Sequence, residues 1–142
     1  MSLAVRQALN YLWAAPCTAV GLLLAGAVCL GGGSARRVQG VLEVAFREAP
    51  YQSTLPFNAI TLGHVVVGTD HGTLAAVRAH EQVHVRQYER WGIFFFLAYP
   101  ATSLYLWLRG RRAYWENPFE IEAREGSRPH AARKGRKDKA VR

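Results

Sequence analysis

"RAHEQVHVRQYERWG", residues 78–92, places His80 and His84 four apart, with Glu81 directly after the first. On a helix, residues four apart differ by about 40° around the axis and roughly 6 Å along it. Two imidazoles at that spacing can converge on one ion. Zinc accepts neutral histidine nitrogen, and a catalytic zinc site adds a third protein ligand and an open position for water. Glu81 would flank such an ion without binding it and serve as general base toward that water. The spacing therefore predicts a helix, from Leu74 to about Trp91, that carries part of a zinc site. The plainer alternative is a polar helix with a satisfied histidine pair. By composition alone, H-E-x-x-H arises in roughly one such chain in a hundred, so a second constellation has to decide.

That constellation is "NPFEIEAR", residues 117–124, where Asn117-Pro118 marks a helix start and Glu120 and Glu122 follow. Two residues apart on a helix point about 200° from each other, so only one of these carboxylates can face a given ion. H-E-x-x-H on one helix and E-x-E-A on a later one resembles the gluzincin zinc peptidases. Among these are the membrane zinc endopeptidases of the CAAX-prenyl-protease and heat-shock-protease type. "HEQVHVRQYERWG" with "NPFEIEA" is more similar still to a group of small bacterial membrane-associated HExxH proteins. The resemblance covers about residues 58–125. It implies zinc held by His80, His84 and Glu120, with Glu81 as general base. It also implies a minimal zincin-like fold that hydrolyses peptide bonds. The large membrane endopeptidases carry Asp after that Ala, whereas this chain has Arg124. Glu122, Glu125 and Glu116 are the candidates to replace the missing supporting carboxylate.

Other residues are weaker candidates. His64 is a candidate to face the cleft and steady the oxyanion, against the plainer role of a strand histidine. Tyr88 and Tyr114 are candidates to donate to the tetrahedral intermediate, against packing. Neither His71, in a turn, nor His130, in the tail, is expected to bind the metal. Glu81-x-x-His84 is also half of a di-iron carboxylate motif, but such sites need two E-x-x-H motifs and two further Glu. The chain holds one.

The 142 residues suffice for one domain with a small core, because much of the apolar half of the composition sits in two blocks. Residues 9–30 carry no charge and would make a helix of roughly 33 Å, about the thickness of a bilayer's hydrocarbon core. We expect a retained membrane anchor over 1–34, with "GGGS" at 31–34 as a flexible exit. A cleaved signal peptide is the alternative, but its apolar core is usually about 7–15 residues. Cys17 and Cys29 lie inside this block and read as small packing residues, which excludes a disulfide framework. Gly31–Gly33 lack the strand-to-helix context of a phosphate loop.

Residues 41–46 and 58–68, rich in Val and Ile, are expected as short strands, with Leu62–Gly63 as a candidate hairpin turn. Strand 58–68 is a candidate cleft edge that accepts extended substrate by strand addition. Asp70 or Thr73 is expected to cap the following helix. Residues 93–108 form the second uncharged block, roughly 24 Å as a helix and short for a span, with Pro100 expected to divide it. Two buried core helices are the alternative. The two halves of the zinc site flank this block, so a spanning path would separate them. It is therefore expected to enter or lie against the membrane without crossing.

The tail, 126–142, ends in "SRPHAARKGRKDKAVR", with seven Lys/Arg against Asp138. Such a run is expected to be disordered, and suits anionic lipids better than nucleic acid because the membrane has separate support. Arg36, Arg37 and the tail, against Arg6, place the catalytic part of 35–125 on the cytoplasmic side of a bacterial inner membrane. The expected class is α+β, mainly α, with an N-terminal transmembrane helix. The expected function is membrane-anchored zinc-dependent hydrolysis of a peptide or protein substrate. The alternative is a membrane-tethered scaffold or regulator with a vestigial or structural zinc site.

Overall fold

The computed structural model describes residues 2–46 and 58–129. The chain is α+β and mainly helical. It opens with α1, Leu3–Leu30, whose first turn is capped by the Ser2 hydroxyl. Helix α1 is long and apolar enough to span a membrane. One stripe is buried, formed by Ala14, Cys17, Gly21, Ala25 and Val28 at steps of three and four. Small residues there let the helix approach the sheet closely. A Cβ on Gly21 would lie 2.8 Å from the Leu62 carbonyl oxygen. The remaining faces expose Leu9, Leu12, Val20, Leu22 and Leu23.

Residues 31–33, expected as a slack linker, make a tight turn. A Cβ on Gly33 would lie 2.6 Å from the Ala45 carbonyl oxygen. The chain passes directly into β1, Ser34–Val38, a strand missed in the sequence because "SARRV" is almost wholly exposed. It pairs antiparallel with β2, Val41–Ala45. Gln39 and Gly40, both at positive φ, form the two-residue turn that suits a twisted hairpin. Strands β3, Ala59–Leu62, and β4, Val65–Gly68, form a second hairpin around Gly63-His64, and the sheet order is β1-β2-β4-β3.

The central strand β4 is buried on both faces, which explains its unbroken Val run. Val65 and Val67 meet Ala25 and Val28 of α1 together with Val44. Val66 packs on the other side with Val41, Ala45, Leu74 and Val85. The sheet is thus layered between α1 and the next helix.

That helix, α2, runs His71–Trp91 and starts three residues earlier than expected, because Asp70 accepts from the Thr73 backbone N–H at 2.8 Å. It is tied to the sheet by Arg78, which grips buried Glu43 of β2 through two hydrogen bonds of 2.6 and 3.0 Å. Gly92, at φ 56°, ends α2 against the Trp13 ring. Beyond it α3, Ile93–Leu108, folds back with a bend of 118°. Pro100 does not divide α3. Nor is α3 a core helix: only Phe95 and Leu106 are buried, while Phe94, Leu97, Leu104, Trp107 and Leu108 are exposed. A short turn then leads to α4, Pro118–Gly126, capped by Asn117. The tail from residue 130 lies outside the described residues.

Candidate metal centre

Helix α2 brings His80 and His84 to one face, and the reversal through α3 returns the chain so that α4 presents Glu120 to them. His80 Nε2 and His84 Nε2 lie 3.1 Å apart. Glu120 Oε2 is 3.2 Å from the first, and Glu120 Oε1 is 3.3 Å from the second. Ligand atoms about 2.0–2.1 Å from a tetrahedral zinc would lie roughly 3.3 Å from one another. The three side chains therefore fit such an ion. The buried Glu120 Oε2 has no hydrogen-bond partner, as expected of an oxygen whose partner is a cation.

The tautomer of His84 follows from its neighbours. The Gln87 side-chain N–H group donates to the Phe119 carbonyl at 3.0 Å and to Glu122 at 2.8 Å. Its Oε1 is therefore the atom facing His84 Nδ1, at 2.8 Å, and it must accept. The proton sits on Nδ1 and the Nε2 lone pair is left for the ion. Glu120 is held from its other side by Tyr99 of α3, whose hydroxyl donates to Oε1 at 2.6 Å. Asn117 fixes that geometry by donating to Ser103 at 2.8 Å and accepting from the Phe119 N–H at 3.0 Å.

Burial alone would raise the Glu120 pKa, but the facing His80 and His84 imidazoles and the Tyr99 hydroxyl outweigh it and hold the carboxyl well below the usual range. For His84, burial pushes the pKa down, and the adjacent Glu120 carboxylate lifts it above the ordinary value. Tyr114 is pushed up to about 12 by burial and by the Glu120 charge. Glu81 stays out of the triad. It is buried beside it and accepts from the Thr61 hydroxyl of β3 at 2.7 Å.

The triad opens on a cleft of about 860 Å³. One wall is β3, an edge strand of the sheet; the others come from α2, α3, the turn at Tyr114-Trp115 and Arg124. Of the weaker candidates, Tyr114 and Tyr88 line the cleft. Tyr88 does so as packing, edge-on to Phe95 at 4.6 Å. His64 does not face the cleft. Its place in the β3–β4 turn points it at α1, where it stacks on Tyr11 at 4.0 Å and meets Glu89 at 3.1 Å. Glu122 faces away from the triad toward Gln87 and Arg90, so it touches the site through Gln87. Glu116 pairs with Arg111 at 2.8 Å. His71 meets Ser34 at 2.7 Å.

Four contributors were not picked out as site residues in the sequence. Thr61 and Tyr99 reach their carboxylates across long sequence separations, which no local pattern announces. Asn117 was visible only as a cap. Gln87 had a usable signal, since it stands one turn after His84 on the same face. No family model, curated protein or solved structure matches the chain.

Proposed function

We propose that the chain is a membrane-anchored zinc metallopeptidase of minimal zincin-like type. The observation that carries this is the convergence of His80, His84 and Glu120, with Glu81 beside them at the wall of a cleft. Zinc held there would polarise the peptide carbonyl and bring the pKa of a water near 7. Glu81, oriented by Thr61, takes the proton from the attacking water and returns it to the leaving amine. The β3 edge pairs with extended substrate backbone, while the apolar walls exclude water.

The exposed apolar surfaces of α1 and α3 suit a lipid bilayer. Helix α1 spans it, and α3 enters or lies against it, so that α2 and α4 stay on one side. Arg36 and Arg37 favour the cytoplasmic side of a bacterial inner membrane, and the basic tail suits its anionic lipids.

Purified in detergent, the wild type is expected to hold about one zinc per chain and to cleave peptides. Glu81→Gln should keep the zinc and lose about a hundredfold or more in rate. A protein that binds zinc and shows no difference from Glu81→Gln in any peptide assay would instead be a scaffold with a structural zinc. Single cysteines at Ser53 and Ser127, in a background lacking Cys17 and Cys29, should both be silent to labelling from outside intact cells. Labelling of only one would refute the shared side.

A further inference from the structure

Arg124 stands where the resemblance leads one to expect an acid, and its surroundings are those of a binding group. It lies one turn after Glu120 on α4 and lines the cleft. Its guanidinium is already oriented. Nη2 donates to the Trp115 carbonyl, and the group lies 5.1 Å from the centre of the Trp115 ring and 5.8 Å from that of Tyr114. Its Nη1 is buried without a hydrogen-bond partner. Nη1 makes an ion pair with Glu120 Oε2 at 4.0 Å, a separation beyond hydrogen-bond reach.

A buried guanidinium N–H left unpaired is costly unless an acceptor arrives. With a divalent cation in place, Glu120 serves the ion as well, and Arg124 keeps only its long ion pair of 4.0 Å to that shared carboxylate. An incoming anion meets a guanidinium that is already oriented, so little side-chain freedom is lost on binding. We infer that Arg124 is the anchor for a substrate carboxylate, which makes the cleft selective for peptides bearing an acid next to the bond cleaved. The inference rests on the metallopeptidase reading for its substrate. It names a binding contact that can be measured without turnover. The carboxylate is either the free C-terminus of the peptide or an acidic side chain.

The test uses the full chain in detergent, zinc-loaded, as Glu81→Gln so that nothing is cleaved. Three short apolar peptides are titrated by Trp fluorescence: one with a free C-terminus, one amidated, and one amidated with an internal Asp. The free acid or the Asp peptide should bind about tenfold or more tighter than the plain amide. Whichever does so identifies the source of the carboxylate. Arg124→Gln should abolish the difference with zinc content unchanged, and Arg124→Lys should keep part of it. Equal Kd for all three peptides overturns the inference, and needs no variant at Arg124. So does a difference that survives Arg124→Gln. Loss of zinc in both Arg124 variants would make Arg124 a brace for Glu120, and overturns it too. If the wild type cleaves no peptide while the affinity difference holds, the peptidase reading falls and the carboxylate anchor stands.

Discussion

Two buried histidine clusters flank α2, and both bring a glutamate within 3.3 Å of an imidazole nitrogen. Around His64 every group is matched. One ring nitrogen meets Glu89, the other lies 3.4 Å from the Thr18 hydroxyl, the ring stacks on Tyr11, and Asn10 approaches the free oxygen of Glu89 at 3.5 Å. This is how polar groups are satisfied where α1, the hairpin turn and α2 meet. Around His84 the same residue types are arranged differently. Two imidazole Nε2 atoms and a carboxylate point at one spot, and a buried oxygen has no donor. What sets this cluster apart is that three candidate ligand atoms converge and a buried carboxylate oxygen among them has no hydrogen-bond partner. Histidine burial and a nearby carboxylate do not distinguish the two clusters.

The sharpest way to break the comparison is zinc content. His84→Ala should fall from about one zinc per chain to nearly none, while His64→Ala should keep its metal. Equal zinc in the two variants would erase the distinction. Next in size, Glu120→Ala should lose far more zinc than Glu122→Ala, because only the first points at the histidines. The reverse order would reassign the third ligand. Gln87→Leu should weaken zinc binding by about 10–100-fold, since it frees the His84 tautomer while leaving all three ligands in place. An unchanged zinc Kd in a competition titration would remove that role. The smallest effect belongs to the other cluster. His64→Phe keeps the ring stack but removes the ring's bond to Glu89, and should cost about 1 kcal/mol of stability with zinc content intact. Denaturant unfolding measures this, and a variant as stable as wild type would show that the network contributes nothing.

The sequence showed the helices better than the sheet. Helix α2 carries its own cap and its own metal-ligand spacing, α4 announces itself by Asn117-Pro118, and α1 by an uncharged run. All three are local patterns. Strand β1 has none, because its side chains are exposed and its place is set by pairing with β2 across the Gln39-Gly40 turn. The glycines at 31–33 looked like a linker because composition cannot tell a slack turn from a crowded one. Within the site, the histidine pair was legible as geometry, but Glu120 only through resemblance. Its approach depends on the Gly92 bend and on the length of α3. The contacts of Thr61 with Glu81 and of Tyr99 with Glu120 join residues twenty and twenty-one positions apart, and tertiary packing alone decides them. His64 misled because the pattern of a strand says which residues alternate, not which face the turn will offer to α1.

The 118° bend at Gly92 also orders events as the chain is made. His80 and His84 leave the ribosome first, then the sixteen apolar residues of α3, and only afterwards Glu120. A nascent or truncated chain that stops within α3 carries two of the three converging side chains. The third arrives only after the apolar helix is complete and has turned back, and Tyr99, the residue that steadies it, lies within that helix. Settling α3 and bringing Glu120 to the histidines therefore go together.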